Sequence, residues 1–446
     1  VRILCIDVSS NALDWLMRCQ SFGHQVKWYD RNRKDGSVRQ AGEGIVPKIR
    51  DYDELRRKWL DWADLIFTPD NTHYLELLEP LRERGYPVFG PSPAAAALEL
   101  DRTAGQAAIK EAGMNVIPSK EFRDHDAAIA YVKKHADRCF VSKPNNDDNK
   151  AMSYVATDAA DLVYMLERWK KNEAYRQGAR ENGFILQDKI DGIEMAVGGW
   201  FGPGGWSQWW CENWEFKKLM NGDLGVNTGE QGTLVRYVKQ SKLADLALKP
   251  LTKILKRLGY VGYIDNNVMI GRDKIWPMEL TVRHGWPLTH NQTALHQGCP
   301  AQWMKDLIDG RDTLDVIPDK PCVSVVVTIP DFPYSRYTAK ETTGIPVYGA
   351  TDREHIHLSE VMFGEAPTLV GNQVVSMPCY LTAGDYVLIA TGVGDTISGA
   401  RRSAYAAVKK VKIPNSPMWR TDIGAGRLVK QIPELQKLGY AKGLTF

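Results

Sequence analysis

Hydrophobic and polar positions change period repeatedly along this chain. Residues 1–6 form a short apolar run, residues 12–19 repeat apolar positions at helical spacing, and residues 25–29 return to a strand pattern. A helix over 53–62, a strand over 63–67, a helix over 74–84 and a strand over 87–89 complete the first ninety residues. Strand and helix in this rhythm predict a parallel, doubly wound sheet, in which ligands sit beyond the carboxyl ends of the strands. Those ends carry Ser9 and Asn11 in one loop and Asp70 in another. Ordinary loops and a substrate crevice both fit.

Residues 90–94 (Gly-Pro-Ser-Pro-Ala) break the pattern, and a helix is expected over 94–113. A small α/β segment follows, from about 120 to 191. Its strand 140–143 ends in Lys143, and the polar loop behind it ends in Lys150. Two lysines so placed can hold phosphate as point charges, or can be solvated surface residues. Residues 184–194 run from an apolar strand through a turn at Asp191-Gly192 to Glu194, a carboxylate able to accept from ribose hydroxyls. Residues 200–214 read as a hairpin turning at 202–205 and crowded with tryptophan. Core packing and an exposed platform for stacking a flat ligand are both open for these indoles. In 223–232, Asp223, Asn227, Thr228 and Gly229 sit among three glycines, a composition that lets backbone approach a ligand closely. An amphipathic helix over 243–258 then leads to two strands, 260–270 and 275–282.

In the second of these strands Glu279, Thr281 and Arg283 alternate with Met278, Leu280 and Val282. A carboxylate, a hydroxyl and a guanidinium on one face can gather Mg²⁺ and phosphate oxygens, or can be the wet side of an ordinary strand. Antiparallel pairing would set Asn267 beside Glu279 and Thr281, an oxygen set suited to Mg²⁺ completed by nucleotide phosphates. A boundary is expected at 318–321. Beyond it come a β-branched strand over 322–329, further strands and turns, a helix over 398–411 and a short final helix.

Composition narrows the class. With 446 residues, two to four domains are expected. A net charge of +3 argues against general attraction to nucleic acid or membrane. Seven scattered cysteines without CxxC pairs fit reduced thiols in the cytoplasm better than disulfides or zinc. No stretch suits a membrane span, and the first residues lack the basic-then-apolar pattern of a signal peptide.

Several short motifs then line up. Residues 88–99 resemble "FGPxxxAAxLE" and residues 141–143 a lysine-bearing strand. Residues 185–194 resemble "VEExLxGEE", 223–232 "DxGPNTGGMG", 277–285 "xxEFNxRFG" and 419–424 "YRxDIG". Their order and spacing resemble the ATP-grasp ligases, and within them the phosphoribosylamine–glycine ligases. The resemblance covers nearly the whole chain. It implies an α/β ATP-grasp fold with a doubly wound N-terminal (pre-ATP-grasp) domain over 1–118 and a small lid over 119–191. The central ATP-grasp domain would span 192–319 and a separate C-terminal α+β module 320–446. It also implies ATP and Mg²⁺ (Mn²⁺ as an alternative) as cofactors. Arg102, Lys143 and Lys150 would meet the nucleotide, with Gln187, Lys189 and Ile190 at the adenine and Glu194 at the ribose. Asn267, Glu279 and Thr281 would face the metal. Lys217 and Arg283 would stabilise transferring phosphate or a substrate carboxylate.

The departures alter some ligands of the ATP half and fall most heavily on the substrate half. "GxGGREH" stands here as residues 7–12 (Asp-Val-Ser-Ser-Asn-Ala), without its paired glycines or its basic residue. "EFN" has become Glu279-Leu-Thr281, and "GDPE" has become 285–288 (Gly-Trp-Pro-Leu). The function expected is therefore an amide-forming ligase. It would join glycine or another amino acid, through an acyl phosphate, to an amine acceptor other than phosphoribosylamine. The Trp-rich hairpin suggests a flat acceptor such as a nucleotide or a modified DNA base. The alternatives are a purine-pathway ligase with a divergent pocket and a non-catalytic nucleotide-binding protein. A monomer or weak homodimer is expected.

Overall fold

A computed structural model describes residues 1–33, 36–145, 153–334, 341–414 and 416–446. Its first sheet shows why residues 1–6 read as one apolar run. In β1 (Arg2–Asp7) Ile3 and Cys5 pack into the main core, while Leu4 and Ile6 pack into a second core on the opposite face. A strand buried on both sides has no polar alternation to show. With β2 (Gln25–Asp30), β3 (Lys48–Ile49), β4 (Leu65–Phe67) and β5 (Val88–Phe89) it forms a parallel sheet of order β3-β2-β1-β4-β5. The first helix, Leu13–Ser21, packs one face of it.

The helix expected over 94–113 is two helices, Pro93–Leu100 and Arg102–Glu111. Asp101 separates them, because its extended backbone and its carboxylate cap the second helix through Thr103 N and Ala104 N. The helix expected over 243–258 is also broken, into Lys242–Ala247, a 3₁₀ turn Lys249–Leu251 and Thr252–Arg257. Pro250 lies in that turn and has no N–H to continue an α-helical ladder.

A small sheet follows, with β6 (Ser119–Phe122), β7 (Phe140–Pro144), β8 (Tyr154–Val155) and β9 (Phe184–Asp188) in the order β6-β9-β7-β8. Helices His125–Lys134 and Ala159–Lys170 help enclose a core of its own. Among the described residues that core is separate from the main one.

The rest of the chain builds around one long sheet. β10 (Ile193–Gly202) and β11 (Gly205–Glu215) are the expected hairpin. β12 (Lys218–Met220) and β13 (Leu224–Asn227) form an additional small hairpin that sequence patterning does not reveal. β14 (Gly232–Val238), β15 (Gly262–Ile270) and β16 (Ile275–Thr281) complete the central part. β17 (Cys322–Thr328), β18 (Thr343–Val347), β19 (Ile356–Leu358), β20 (Val361–Val370), β21 (Gln373–Ala383) and β22 (Tyr386–Val393) follow. The eight-stranded order β16-β15-β10-β11-β14-β17-β22-β19 places three C-terminal strands in the same sheet as the central ones. β17 pairs with β14, so the sheet and its core run across the boundary expected at 319/320.

The tryptophans of the hairpin are packed rather than presented. Trp200, Trp209, Trp210 and Trp214 are buried, and the partly buried Trp206 lies against Trp210 and Phe201 and donates its indole N–H to Thr252. Of the two readings open for these indoles, core packing is the one the structure shows.

Candidate active site

Glu279 on β16 faces Asn267 on β15 in register, as the antiparallel pairing predicted, while Thr281 faces Asp265 two residues further along. The next strand, β10, brings Glu194 to the same face. Asn267 Nδ2 donates to Glu194 Oε1 at 2.7 Å and to Glu215 Oε2 at 3.1 Å. Lys217 completes the group. Its Nζ stands 3.3 Å from Glu194, 3.0 Å from Glu215 and 3.3 Å from Glu279. Arg102, at the start of its helix, reaches to 4.0 Å from Glu279.

Charge dominates this cleft. The Lys217 ammonium, with burial acting against it, holds Glu279 down at about 2, and Lys143 and Arg102 add to that. Burial opposes the charge on Lys217, but Glu215, Glu194 and Glu279 outweigh it and raise its pKa well above the ordinary lysine value. Burial likewise opposes ionisation of Glu194, and Lys217 with the Asn267 amide reverses the balance and lowers its pKa. Lys143, at the end of β7, is different. Burial lowers it to about 8, with Glu279 pulling the other way. The cleft is nevertheless open, since 43% of the Glu279 side chain and 33% of that of Lys217 remain exposed. Three carboxylates (Glu194, Glu215, Glu279) and three cations (Arg102, Lys143, Lys217) thus share one cleft, with fixed charge already in place for a charged ligand.

Other expected residues have different surroundings. Gln187 is buried in β9, between β6 and β7. Lys189 donates its backbone N–H to Cys139 O and its ammonium to Ala156 O, and Ile190 follows it. Lys150 lies outside the described residues. Arg283 is ion-paired to Glu99 at 3.0 Å and donates to His284 O. Glu99 also accepts from Val282 N and Asn71 Nδ2, so it ties the linker helix, β16's end and the loop after β4 together. Asp223 is bound by Arg420 at 3.0 Å and Arg427 at 2.8 Å, and so anchors its turn to the C-terminal segment. Thr228 bonds the Lys217 carbonyl through both its backbone N–H and its hydroxyl, supporting the lysine rather than the cleft directly. Asn227 pairs with Lys218 in the small hairpin, and a side chain at Gly229 would meet only open space.

Ser9, Asn11 and Asp70 lie at the carboxyl ends of β1 and β4. Asp7 accepts from Ser9 N and Ala12 N, and Asp30 accepts from Ser10 N. Asp70 accepts from Thr72. With its amide in the hydrogen-bonded orientation, Asn11 accepts from Trp286 Nε1 and donates to Ser9 O. Sequence reasoning missed Glu215, Glu99 and Asp265. Glu215 stands two positions before Lys217 on an alternating strand end, a spacing that places both on one face.

Among the described residues no group of three or more His, Cys, Asp or Glu side chains can by itself hold a metal ion. The donor set nevertheless fits a cation that takes few protein ligands. Asn267 Oδ1 is buried and has no partner among the protein's groups, and it belongs to the residue paired with Glu279. A hard cation accepts one carboxylate and one amide oxygen when phosphates fill the other positions. Among the described residues no helix is long and apolar enough to cross a membrane.

No family model matches the chain. It is 24% identical over 404 residues to a phosphoribosylamine–glycine ligase from Streptococcus pneumoniae, covering 88% of this chain and 91% of that one. Among solved structures, a phosphoribosylamine–glycine ligase from Thermotoga maritima aligns with a TM-score of 0.69 at 19% identity, over 95% of this chain and 100% of that one. An ADP complex of N5-carboxyaminoimidazole synthetase from Staphylococcus aureus aligns at 0.54 and 14% identity, over 92% and 97%. The shared architecture agrees with the charged cleft: the chain has the ATP-grasp fold and is similar over most of its length to phosphoribosylamine–glycine ligases.

Proposed function

We propose that the protein joins the carboxylate of glycine or another amino acid to an amine acceptor that is not phosphoribosylamine. The observation that carries this reading is the loop after β1. Its amides at Ser9, Ser10 and Ala12 are consumed by the buried carboxylates of Asp7 and Asp30. Backbone N–H groups that would cradle a phosphate are already occupied by protein carboxylates, of which burial and Asp30 push Asp7 up to about 7. The acceptor half therefore disfavours a sugar phosphate, while the opposite cleft keeps the charges for nucleotide chemistry.

In this reading Lys143 and Arg102 meet the nucleotide phosphates, Glu194 the ribose, and Gln187, Lys189 and Ile190 the base. Glu279, Asn267 and Thr281 would hold Mg²⁺, which supplies charge neutralisation at the phosphates when bound. A carboxylate oxygen of the amino acid attacks the γ-phosphorus, and ADP departs with its oxygen. The amine nitrogen then attacks the acyl carbon. Phosphate leaves, and the nitrogen gives up a proton. The chain's part is positioning and fixed charge. Lys217, locked among three carboxylates, orients Glu279 and Glu194 and holds them ionised. The cytoplasm, with its ATP, is the setting in which this chemistry runs.

The test is ADP release across a panel of amino acids and amines with Mg²⁺, and with Mn²⁺ in a parallel series. Turnover with an unphosphorylated amine is expected. Turnover only with phosphoribosylamine and glycine would sink the changed-acceptor reading, and failure to bind nucleotide would sink the ligase reading.

A further inference from the structure

Behind the end of β16, between helix Leu13–Ser21 and helices Leu288–Leu295 and Gln302–Ile308, lie two adjoining cavities. They share Trp15, His284, Thr289 and Thr293, so they lie side by side. The smaller one reaches Asn11 and Trp286, at the loop after β1. The deeper cavity, the one farther from that loop, has about 440 Å³ of space not filled by atoms, open solvent included.

Three polar atoms of residues lining the deeper cavity are buried and have no partner among the protein's groups. They are His284 Nε2, Gln292 Oε1 and Trp303 Nε1. All three residues are at least nine-tenths buried. Neighbouring indoles are satisfied: Trp15 Nε1 donates to Pro300 O and Trp200 Nε1 to Tyr237 Oη. Three unpartnered polar atoms on residues around one aromatic-lined space leave it suited to a ligand with a polar edge. The site carries little net charge. Arg18 is paired to the buried Asp14 at 3.3 Å, and burial lowers His284 to about 3, so its imidazole is neutral.

We propose that this cavity seats the ring of the amine acceptor, and that the ring is an uncharged, planar, single-ring lactam of the pyrimidinone kind. Trp303 Nε1 can only donate and asks for a carbonyl oxygen. Gln292 Oε1 asks for a ring N–H. Trp15, Trp200 and Trp303 supply aromatic walls, and His284 Nε2 serves either role according to its tautomer. Calling the occupant the acceptor rests on the ligase reading. Binding itself does not, and is measured without ATP.

The probe is uracil, added to protein carrying ¹⁵N-labelled tryptophan, with the Trp303 indole resonance assigned through Trp303→Phe. Uracil is expected to shift that resonance saturably, and Gln292→Leu is expected to weaken binding at least tenfold. Gln292→Leu should leave the binding of benzene, a ring of similar size without polar edges, within twofold. Ribose 5-phosphate should leave the resonance unmoved. No shift with uracil, or benzene binding as tightly as uracil, would overturn the lactam site. If uracil binds but amines bearing such a ring release no more ADP than ring-free amines, in a protein active with the latter, the assignment to the acceptor is overturned while the ligase reading stands.

Discussion

Lys143 has a side chain whose buried environment opposes its charge. Its ammonium titrates near 8 because burial outweighs the attraction of Glu279. The unfolded chain keeps that proton up to the ordinary lysine value near 10.5, so between about pH 8 and 10.5 the unfolded state binds more protons and folding stability rises with pH. Phosphates placed beside it would raise its pKa, so ADP binding above pH 8 should take up a proton. Calorimetry in buffers of different ionisation enthalpy checks this, and Lys143→Met should abolish the uptake. Glu279 is the opposite case. Its pKa of about 2 marks a carboxylate that the cleft holds ionised, chiefly through Lys217. Glu279→Ala is expected to lower turnover by about 10²-fold or more while far-UV circular dichroism stays unchanged. Retained turnover would remove Glu279 from the metal assignment. Gly198 makes a packing prediction. A Cβ there would fall 1.8 Å from Tyr263 Oη, which is bonded to Asp265. Gly198→Ala should therefore destabilise the protein by about 1–3 kcal/mol in a denaturant titration.

Elements reach the site through their ends. Asp101 breaks what would otherwise be a single long helix, and the new start puts Arg102 within reach of Glu279. Asp101→Ala removes a cap to two backbone amides and should cost about 0.5–2 kcal/mol of stability. It should also weaken ADP affinity severalfold, because Arg102 loses its fixed position; equal affinity in the variant would mean that Arg102 does not meet the nucleotide. Strand periodicity made β15 and β16 legible, including the Asn267–Glu279 pair. It did not reveal the hairpin of β12 and β13. Those strands are three and four residues long, and exposed Met220, Leu224 and Val226 give them no buried face to announce.

At the scale of the molecule, the separate lid core and the continuous main core predict different local stabilities. Amides of β7 and β9 should exchange faster than those of β10 and β15, and ADP should slow the lid selectively, as measured by hydrogen exchange. Uniform exchange across both cores would show that the lid does not open independently. The main core, by contrast, joins the N-terminal sheet, the central strands and the C-terminal strands, so no boundary near 320 should appear as an independent unfolding unit.

What the sequence determined by itself was local or ordered along the chain. It contained the strand–helix rhythm of the first sheet, the two-residue period that put Glu279 and Thr281 on one face, and the run of motifs naming a fold. Periodicity reports which face is buried, and charge reports what that face can hold. Only the tertiary structure decided which charged groups meet. Glu99 entered the site network because a distant segment brought Arg283 to it, and Glu215 because Asn267 on another strand reaches it. Asp223 was taken up by Arg420 and Arg427, some two hundred residues away in the chain. The hairpin tryptophans went inward for the same reason: neighbouring strands and helices offered them apolar surface. The cavity behind His284 has no sequence signature, because its walls come from three helices and a strand end that meet only in the folded chain.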